Sequence, residues 1–281
     1  MLKLETTELS LLNVTQINTN PSVYLDHWAL RMISSSREMR DRFCNALIKR
    51  DGMLEISWMN LLEFSGVSDL SQVEDVENFL DTLSPKHIGF INVEVQVVIE
   101  LENKFLRKDH DLKDPHVDYE LLKEFAKFRK RKSLNPCSFK GFFFELSNHR
   151  KKSNEQRKSF LKNLSEKLPG FRERAQQPEY QKKLNRIAES NKAVQHSTRY
   201  IFDELGKYIL RNGIKIESND WCDIHHLIVP MAYCDLVLVD QRWNEISKQV
   251  SNRLRNAGHD TAMADIFSKR QIADFWKKLD N

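Results

Sequence analysis

The stretch "SNDWCDIHHLIVPMAYCDLVLVDQRW", residues 218 to 243, places a helical pattern directly before a strand pattern. Ile224, Leu227 and Ile228 recur at helical spacing and predict an amphipathic helix with one apolar face. The run "DLVLV" that follows is continuously apolar, which is typical of a strand covered on both faces. A helix that leads into such a strand favours an α/β fold with a parallel sheet.

The composition is that of a charged globular protein. The 281 residues are 40% apolar and 30% charged, and only 8 are glycine, which favours long helices over a turn-rich β fold. No apolar run approaches the roughly 20 residues needed to cross a bilayer, so we expect no membrane partner. The 4 cysteines are scattered without a CxxC pair and predict free thiols in a reducing, cytoplasmic location.

Strand and helix patterns alternate in two separate parts of the chain. Short apolar runs occur at "SVYL", "MLEIS" and "HIGFI", with helical patterns between them. The same alternation returns after Gly213. We therefore predict one discontinuous α/β domain at residues 20–107 and 213–281, with a basic helical insertion at residues 108–212.

Positive charge is concentrated in the predicted insertion. The chain has a net charge of +4, yet residues 101–200 contain 25 Lys and Arg against 13 Asp and Glu. Such a surplus either attracts a nucleic acid or forms a solvated helical face. "KFRKRK" (Lys127 to Lys132) and "HRKKS" (Arg150 to Lys152) are candidates for phosphate contacts. Phe142, Phe143 and Phe144 are interpreted as core or as a contact for a partner protein or second copy, with base stacking as the less favoured alternative.

Four carboxylates occupy positions that suit a binding site. Asp26 follows the strand pattern "VYL", and Asp240 follows "LVLV". Ligands of parallel α/β sheets bind outside the carboxyl ends of the strands, where both residues are expected. Glu63 lies at the margin of an apolar helix face in "WMNLLEFSG", and Asp223 lies in the first turn of the helix before "DLVLV".

Each of these acids also has a structural interpretation. Asp223 or its neighbour Asp220 would stabilise a helix N-terminus. Asp26 and Asp240 would serve as turn residues, and Glu63 would pair with a basic side chain. The arrangement favours a functional site, because carboxylates gathered at one end of a sheet repel each other unless a cation lies among them. Oxygen-only clusters suit Mg²⁺ or Mn²⁺.

Two adjacent histidines stand within the same helical pattern. His225 and His226 point in different directions on a helix and cannot share one metal ion. His226 lies one turn from Asp223, and we interpret it as structural, with a contact to a substrate phosphate as the alternative.

Three segments together resemble the PIN-like nuclease domain. They are "VYLD" near the start, the helix bearing "LLEFSG", and the late block "D..H......YCD.VLVD..W" from Asp223 to Trp243. The resemblance covers residues 20–107 and 213–279 and leaves the helical middle unexplained. It implies a three-layer α/β/α sandwich with a central parallel sheet.

The resemblance also implies an acid cluster that binds Mg²⁺ or Mn²⁺ and hydrolyses phosphodiester bonds, most often in RNA. By position, the four metal-binding and catalytic residues fall on Asp26, Glu63, Asp223 and Asp240. The family often has a further acid where this chain has Gln241. Asp235 opens the last strand of the pattern and is expected to be structural, at the edge away from the metal.

The predicted function is therefore that of a cytoplasmic, metal-dependent ribonuclease, with a toxin or defence role inferred from the family. One alternative is a catalytically inactive PIN-like module that binds RNA or protein, and another is a nuclease for single-stranded DNA. The sequence contains no P-loop, GxSxG or GxGxxG, so nucleotide hydrolysis and α/β-hydrolase chemistry are not indicated.

Overall fold

The strands form a central parallel sheet and a separate hairpin. A computed structural model describes residues 2–6, 12–65, 67, 69–106, 114–131, 138–143, 166, 169–170, 173, 176–185, 198–259 and 263–281. The strands are β1 Leu2–Thr6, β2 Leu12–Gln16, β3 Ser22–Leu25, β4 Met53–Ile56, β5 Ile88–Phe90, β6 Leu236–Leu238 and β7 Asp265–Phe267. The five strands from β3 onward are parallel in the order β5-β4-β3-β6-β7, and β1 pairs with β2 antiparallel.

Helices connect the strands and cover both faces of the sheet. They are α1 His27–Ser35, α2 Arg37–Lys49, α3 Trp58–Ser65, α4 Leu70–Leu83, α5 Val95–Leu106, α6 Tyr119–Arg131, α7 Pro178–Asn185, α8 Thr198–Arg211, α9 Ser218–Tyr233, α10 Gln241–Asn256 and α11 Ile272–Asp280. A single 3₁₀ turn, Lys269–Gln271, precedes the last helix. The chain is thus an α/β protein with a five-stranded parallel sheet, compatible with a three-layer sandwich.

Two hydrophobic cores lie on opposite faces of the sheet. Successive strand residues point to opposite faces, so Val23 and Leu25 enter one core while Tyr24 between them enters the other. Helices α1, α2, α4, α6 and α11 contribute to the first core, and α5, α8, α9 and α10 contribute to the second. The four residues of β3 are all buried, which is why its sequence is not alternating.

The predicted strands and the late helices are confirmed. The helical pattern before "DLVLV" corresponds to α9, the run "DLVLV" contains β6, and the alternation predicted after Gly213 continues through α10 and β7. No described helix is long and apolar enough to span a membrane. Within the predicted helical insertion, the segment "SNEQRKSFLKNLSEKL" lies almost wholly outside the described residues.

Two elements were not predicted. Helix α1 begins after Asp26, whose side chain accepts a hydrogen bond from the Ala29 N–H and so caps the helix. The β1–β2 hairpin occupies a polar, acidic stretch without a clear strand pattern. It is joined to the sheet edge because Gln16 Oε1 accepts a hydrogen bond of 2.6 Å from the Phe90 N–H.

Described parts of the predicted insertion pack into both cores. Leu121 and Phe125 of α6 are buried in the first core, and Ile201 of α8 is buried in the second. Phe142 and Phe143 are also fully buried, so they offer no surface for stacking bases, and Phe144 lies outside the described residues. The domain division at residues 108–212 stays a prediction.

Candidate metal centre

The candidate site lies where the strand order reverses. From β3 the chain proceeds through β4 and β5 on one side, and then returns to β6 and β7 on the other. The carboxyl ends of β3 and β6 therefore flank a topological switch point, where parallel sheets leave a crevice. Asp26 follows β3 directly, and its N–H donates to the Leu238 carbonyl of β6 at 3.1 Å. Asp240 leaves β6 beside it and precedes α10.

Asp26 is a buried carboxyl group surrounded by other acids. Its side chain accepts a hydrogen bond of 3.3 Å from the Ala29 N–H and is part of a residue only 8% exposed. Burial raises the pKa of Asp26 well above its ordinary value, and the charges of Asp240, Glu63 and Asp223 raise it further. The same charges identify these three carboxylates as electrostatic neighbours of Asp26.

Asp223 is oriented by a hydrogen bond from α10, the helix that follows Asp240. The indole Nε1 of Trp243 on α10 donates a hydrogen bond of 2.9 Å to Asp223 Oδ2. Burial raises the pKa of Asp223 to about 6, the bond from Trp243 opposes that shift, and the charges of Asp240 and Glu63 add to it. The pKa of Asp240 is also raised, by burial first and then by Glu63.

Glu63 brings the acid cluster into contact with two histidines. Its Oε2 lies 3.1 Å from His226 Nε2 and 3.8 Å from His27 Nδ1. The side chain of His226 is 3% exposed, and those of Glu63 and His27 are 23% and 28% exposed. Burial lowers the pKa of His27, Glu63 opposes that shift, and the neighbouring His226 lowers it further.

A buried chain of hydrogen bonds holds His226 from behind. The Tyr24 hydroxyl makes a short hydrogen bond with His226 Nδ1 and another of 2.9 Å with Ser57 Oγ. Ser57 donates to Asn60 Oδ1 at 2.9 Å, and the Asn60 amide donates to the Leu25 carbonyl at 3.1 Å. Since Tyr24 lies on β3 and the chain ends at the Leu25 carbonyl of the same strand, the imidazole ring is held against β3.

The prediction from sequence did not include His27 or the Tyr24 network. His27 is adjacent to Asp26 in sequence, which is the one local signal that pointed to it. The pairing of Tyr24 with His226 spans 202 positions and has no local signature. His226 was interpreted as structural, and its contact with Tyr24 agrees with that interpretation, while its contact with Glu63 adds a role at the site.

Two further acids within the quoted stretch, Asp220 and Asp235, have structural partners. Asp220 accepts 2.7 Å hydrogen bonds from Arg242 and from the Glu217 N–H at the start of α9. Asp235 lies at the opposite edge of the sheet, as predicted, where its Oδ2 accepts from the Ser22 N–H at 2.7 Å. Neither side chain is part of the acid cluster.

Gln241 also forms hydrogen bonds with neighbouring side chains. Its Oε1 accepts a hydrogen bond from the Ser268 hydroxyl, and its Nε2 donates to Glu245, both at 2.6 Å. Among the basic candidates, Lys127 pairs with Glu124 at 2.6 Å on an exposed helix face. Lys132 and Arg150 to Lys152 lie outside the described residues.

The donor set of the four predicted acids suits a divalent cation. The carboxylates come from the ends of β3 and β6 and from α3 and α9, and their mutual repulsion is relieved by a cation or by protons. In the parts of the chain that the structure describes, no group of three or more His, Cys, Asp or Glu side chains stands at the spacing of a metal-holding set. The oxygen donors of the four acids fit the chemistry of a hard divalent cation.

The comparisons with known proteins add no further identification. No protein-family model matches the chain, and no curated protein and no solved structure matches it.

Proposed function

We propose that the protein is a metal-dependent nuclease with a PIN-like fold that hydrolyses phosphodiester bonds, with RNA favoured over DNA as the substrate. The observation that supports this proposal most is the convergence of Asp26, Glu63, Asp223 and Asp240 at the switch point of the sheet. Buried carboxylates that repel each other destabilise a fold, so their retention at one place favours a catalytic or binding use.

The proposed reaction assigns separate tasks to the four acids. Asp26 is fixed as the cap of α1, and Asp223 is fixed by the indole of Trp243, so both are held in place before a ligand binds. Glu63 and Asp240, whose charges both raise the pKa of Asp26, would complete the set of oxygen donors. A bound Mg²⁺ or Mn²⁺ ion would lower the pKa of a water molecule and neutralise charge on the phosphate.

The alternative is a catalytically inactive PIN-like module that binds RNA or a protein. Gln241 favours this alternative, because its side chain is occupied by Ser268 and Glu245 and supplies no acid at the position where the family often has one. Such a module would tolerate the loss of Asp26 without loss of function. A toxin or defence role stays an inference from the family resemblance.

Cleavage of labelled single-stranded RNA and DNA with Mn²⁺, and again with EDTA, tests the proposal. We expect RNA cleavage that EDTA abolishes and that Asp26→Asn lowers by at least about 100-fold, since a lost ligand forfeits several kcal/mol of transition-state stabilisation. Asp235→Asn is the matched control, because it changes the same residue type at the opposite edge of the sheet. Cleavage of neither substrate by the wild type would reject the nuclease proposal in favour of the inactive module.

A further inference from the structure

Two imidazole nitrogens converge on the same oxygen of Glu63. His226 Nε2 and His27 Nδ1 lie 3.1 and 3.8 Å from Glu63 Oε2. Within the described residues neither nitrogen has a hydrogen-bond partner, so the contact of His226 with Glu63 lacks the direction that a hydrogen bond requires. A buried nitrogen without a hydrogen bond costs free energy, and here two of them face one carboxylate.

As they stand, the described side chains do not form a complete metal-holding set, but the distance from His226 Nε2 to Glu63 Oε2 matches that between two ligands of one transition-metal ion. Donors bound to the same ion at about 2.1 Å are separated by about 3.0 to 3.4 Å in tetrahedral or octahedral geometry. The 3.1 Å separation falls in this interval, and the 3.8 Å separation requires His27 to approach Glu63 by a few tenths of an ångström. A half-buried side chain at the start of α1 is able to make such a movement by rotation.

The support behind His226 is of the kind that metal-binding histidines have. A histidine that binds a metal through one nitrogen usually engages a hydrogen-bond partner with the other, which fixes the tautomer and the ring orientation. In this chain His226 Nδ1 is engaged by the buried Tyr24 hydroxyl, which is itself held by Ser57. That arrangement leaves Nε2 directed toward Glu63.

We propose that His27 and His226 provide imidazole ligands, together with Glu63, for a divalent transition-metal ion at the edge of the acid cluster. This inference rests on the proposed metal-dependent function and refines its cofactor. Carboxylate oxygens alone suit Mg²⁺, whereas imidazole nitrogens favour first-row transition metals. The site therefore selects Mn²⁺ over Mg²⁺, and the nitrogen ligands set that preference.

Electron spin-echo envelope modulation of the full chain loaded with Mn²⁺ is the direct test, because it detects nitrogen bound to the ion. We expect nitrogen coupling in the wild type, weaker coupling in His27→Gln, and none in the variant carrying both His27→Gln and His226→Gln. Titration calorimetry should show that each single substitution lowers Mn²⁺ affinity by at least about tenfold, with a smaller change in Mg²⁺ affinity.

A matched control and a second variant keep the test informative. His87→Gln removes another buried imidazole, at the amino edge of the sheet where His87 contacts the Gly52 carbonyl at 2.8 Å, and should leave Mn²⁺ binding unchanged. Thermal unfolding identifies any variant that fails to fold. If His226→Gln does not fold, His27→Gln, which is more exposed, carries the measurement.

The possible results separate this inference from the proposed function. Mn²⁺ binding without nitrogen coupling would overturn the inference and leave a carboxylate metal site. No Mn²⁺ binding at all would overturn both. Nitrogen coupling in a protein that cleaves neither RNA nor DNA would support the inference and reject the nuclease proposal.

Discussion

Buried carboxylates in this molecule occur in two environments. Away from the switch point, Glu77 accepts hydrogen bonds from the Gly141 N–H at 2.8 Å and from the Phe143 N–H at 3.1 Å. Glu102 Oε1 accepts bonds from the Thr198 N–H and hydroxyl and from the Tyr233 hydroxyl. These two acids are surrounded by donors and join distant parts of the chain.

The acids at the switch point are surrounded by each other. Asp26 accepts a bond from the Ala29 N–H, but Asp240, Glu63 and Asp223 all raise its pKa. Burial of a carboxyl group therefore does not by itself indicate function. What distinguishes the candidate site is that its acids have carboxylate neighbours as well as donors, and the charges of those neighbours raise the pKa values of Asp26, Asp223 and Asp240.

Glu55 shows what burial does to a carboxyl group that has almost no hydrogen-bond donors around it in the described part of the chain. It lies in the middle of the sheet, is 1% exposed, and receives a long contact of 3.4 Å from Gln16 Nε2 on one oxygen. Among the described residues its other oxygen has no hydrogen-bond partner. Burial raises the pKa of Glu55 from 4.5 to about 7. Gly89 on β5 makes room for it, because a Cβ there would lie 2.5 Å from Glu55 Oε2.

The raised pKa of Glu55 predicts a loss of stability as the pH increases. Between pH 4.5 and about 7 the folded state keeps this proton while the unfolded state releases it, so the free energy of unfolding falls across that interval. The expected contribution is about 3 kcal/mol, complete above the folded-state pKa. Urea unfolding at pH 5 and pH 7.5 measures it, and Glu55→Gln should lack this component. An identical pH dependence in wild type and variant would show that Glu55 is not the group responsible.

Glu77→Gln tests the opposite environment, in which a carboxylate stabilises the fold. Both oxygens of Glu77 accept backbone N–H groups, so an amide places its own donor against one of them. We expect the free energy of unfolding to fall by about 1–3 kcal/mol. Glu74→Gln makes the same change at an exposed position of the same helix and should have little effect. Equal stability of the two variants would break the distinction between the two environments.

The strands β3 to β6 were predicted from sequence because they are short, largely apolar runs that are buried throughout. Their short length, and the turn residues beside some of them, favoured strands over helices. Helix α1 was missed because Asp26 was interpreted as a strand-end acid, whereas it is also the N-cap of the next element. The interpretation of Phe142 and Phe143 as core residues is confirmed, and the contacts that bury them, with α4 and with other aromatic side chains, were not specified by the sequence.

In the candidate site, too, local features were predictable from the sequence and long-range contacts were not. Strand ends are local features, so Asp26 and Asp240 were placed at one sheet edge from sequence, and their electrostatic coupling in the structure agrees with that placement. The partners that orient the site are not local. Tyr24 meets His226 across 202 positions, and Trp243 meets Asp223 across two elements. Such contacts follow from the order of strands in the sheet, which the sequence alone did not specify.

The smallest expected effect is an increase in stability, whereas the other substitutions lower a measured quantity. In the absence of metal, Asp26→Asn should raise the free energy of unfolding by about 1 kcal/mol and the Tm by about 2–4 °C. Asparagine retains the cap, because its side-chain oxygen still accepts the Ala29 N–H, and it removes the charge that Asp240, Glu63 and Asp223 oppose. The raised pKa of Asp26 has the same meaning, since its charged form destabilises the folded state at neutral pH.

Thermal unfolding in EDTA at pH 7 measures this change, with Asp235→Asn as the matched control. Asp235 Oδ2 accepts both the N–H and the hydroxyl of Ser22, so its substitution should lower the Tm where that of Asp26 raises it. Added Mn²⁺ should stabilise the wild type more than Asp26→Asn, because the variant lacks one proposed ligand and gains less free energy from the ion. A lower Tm for Asp26→Asn in EDTA would mean that Asp26 belongs with Glu77 and Glu102, as an acid that the fold needs for its own stability.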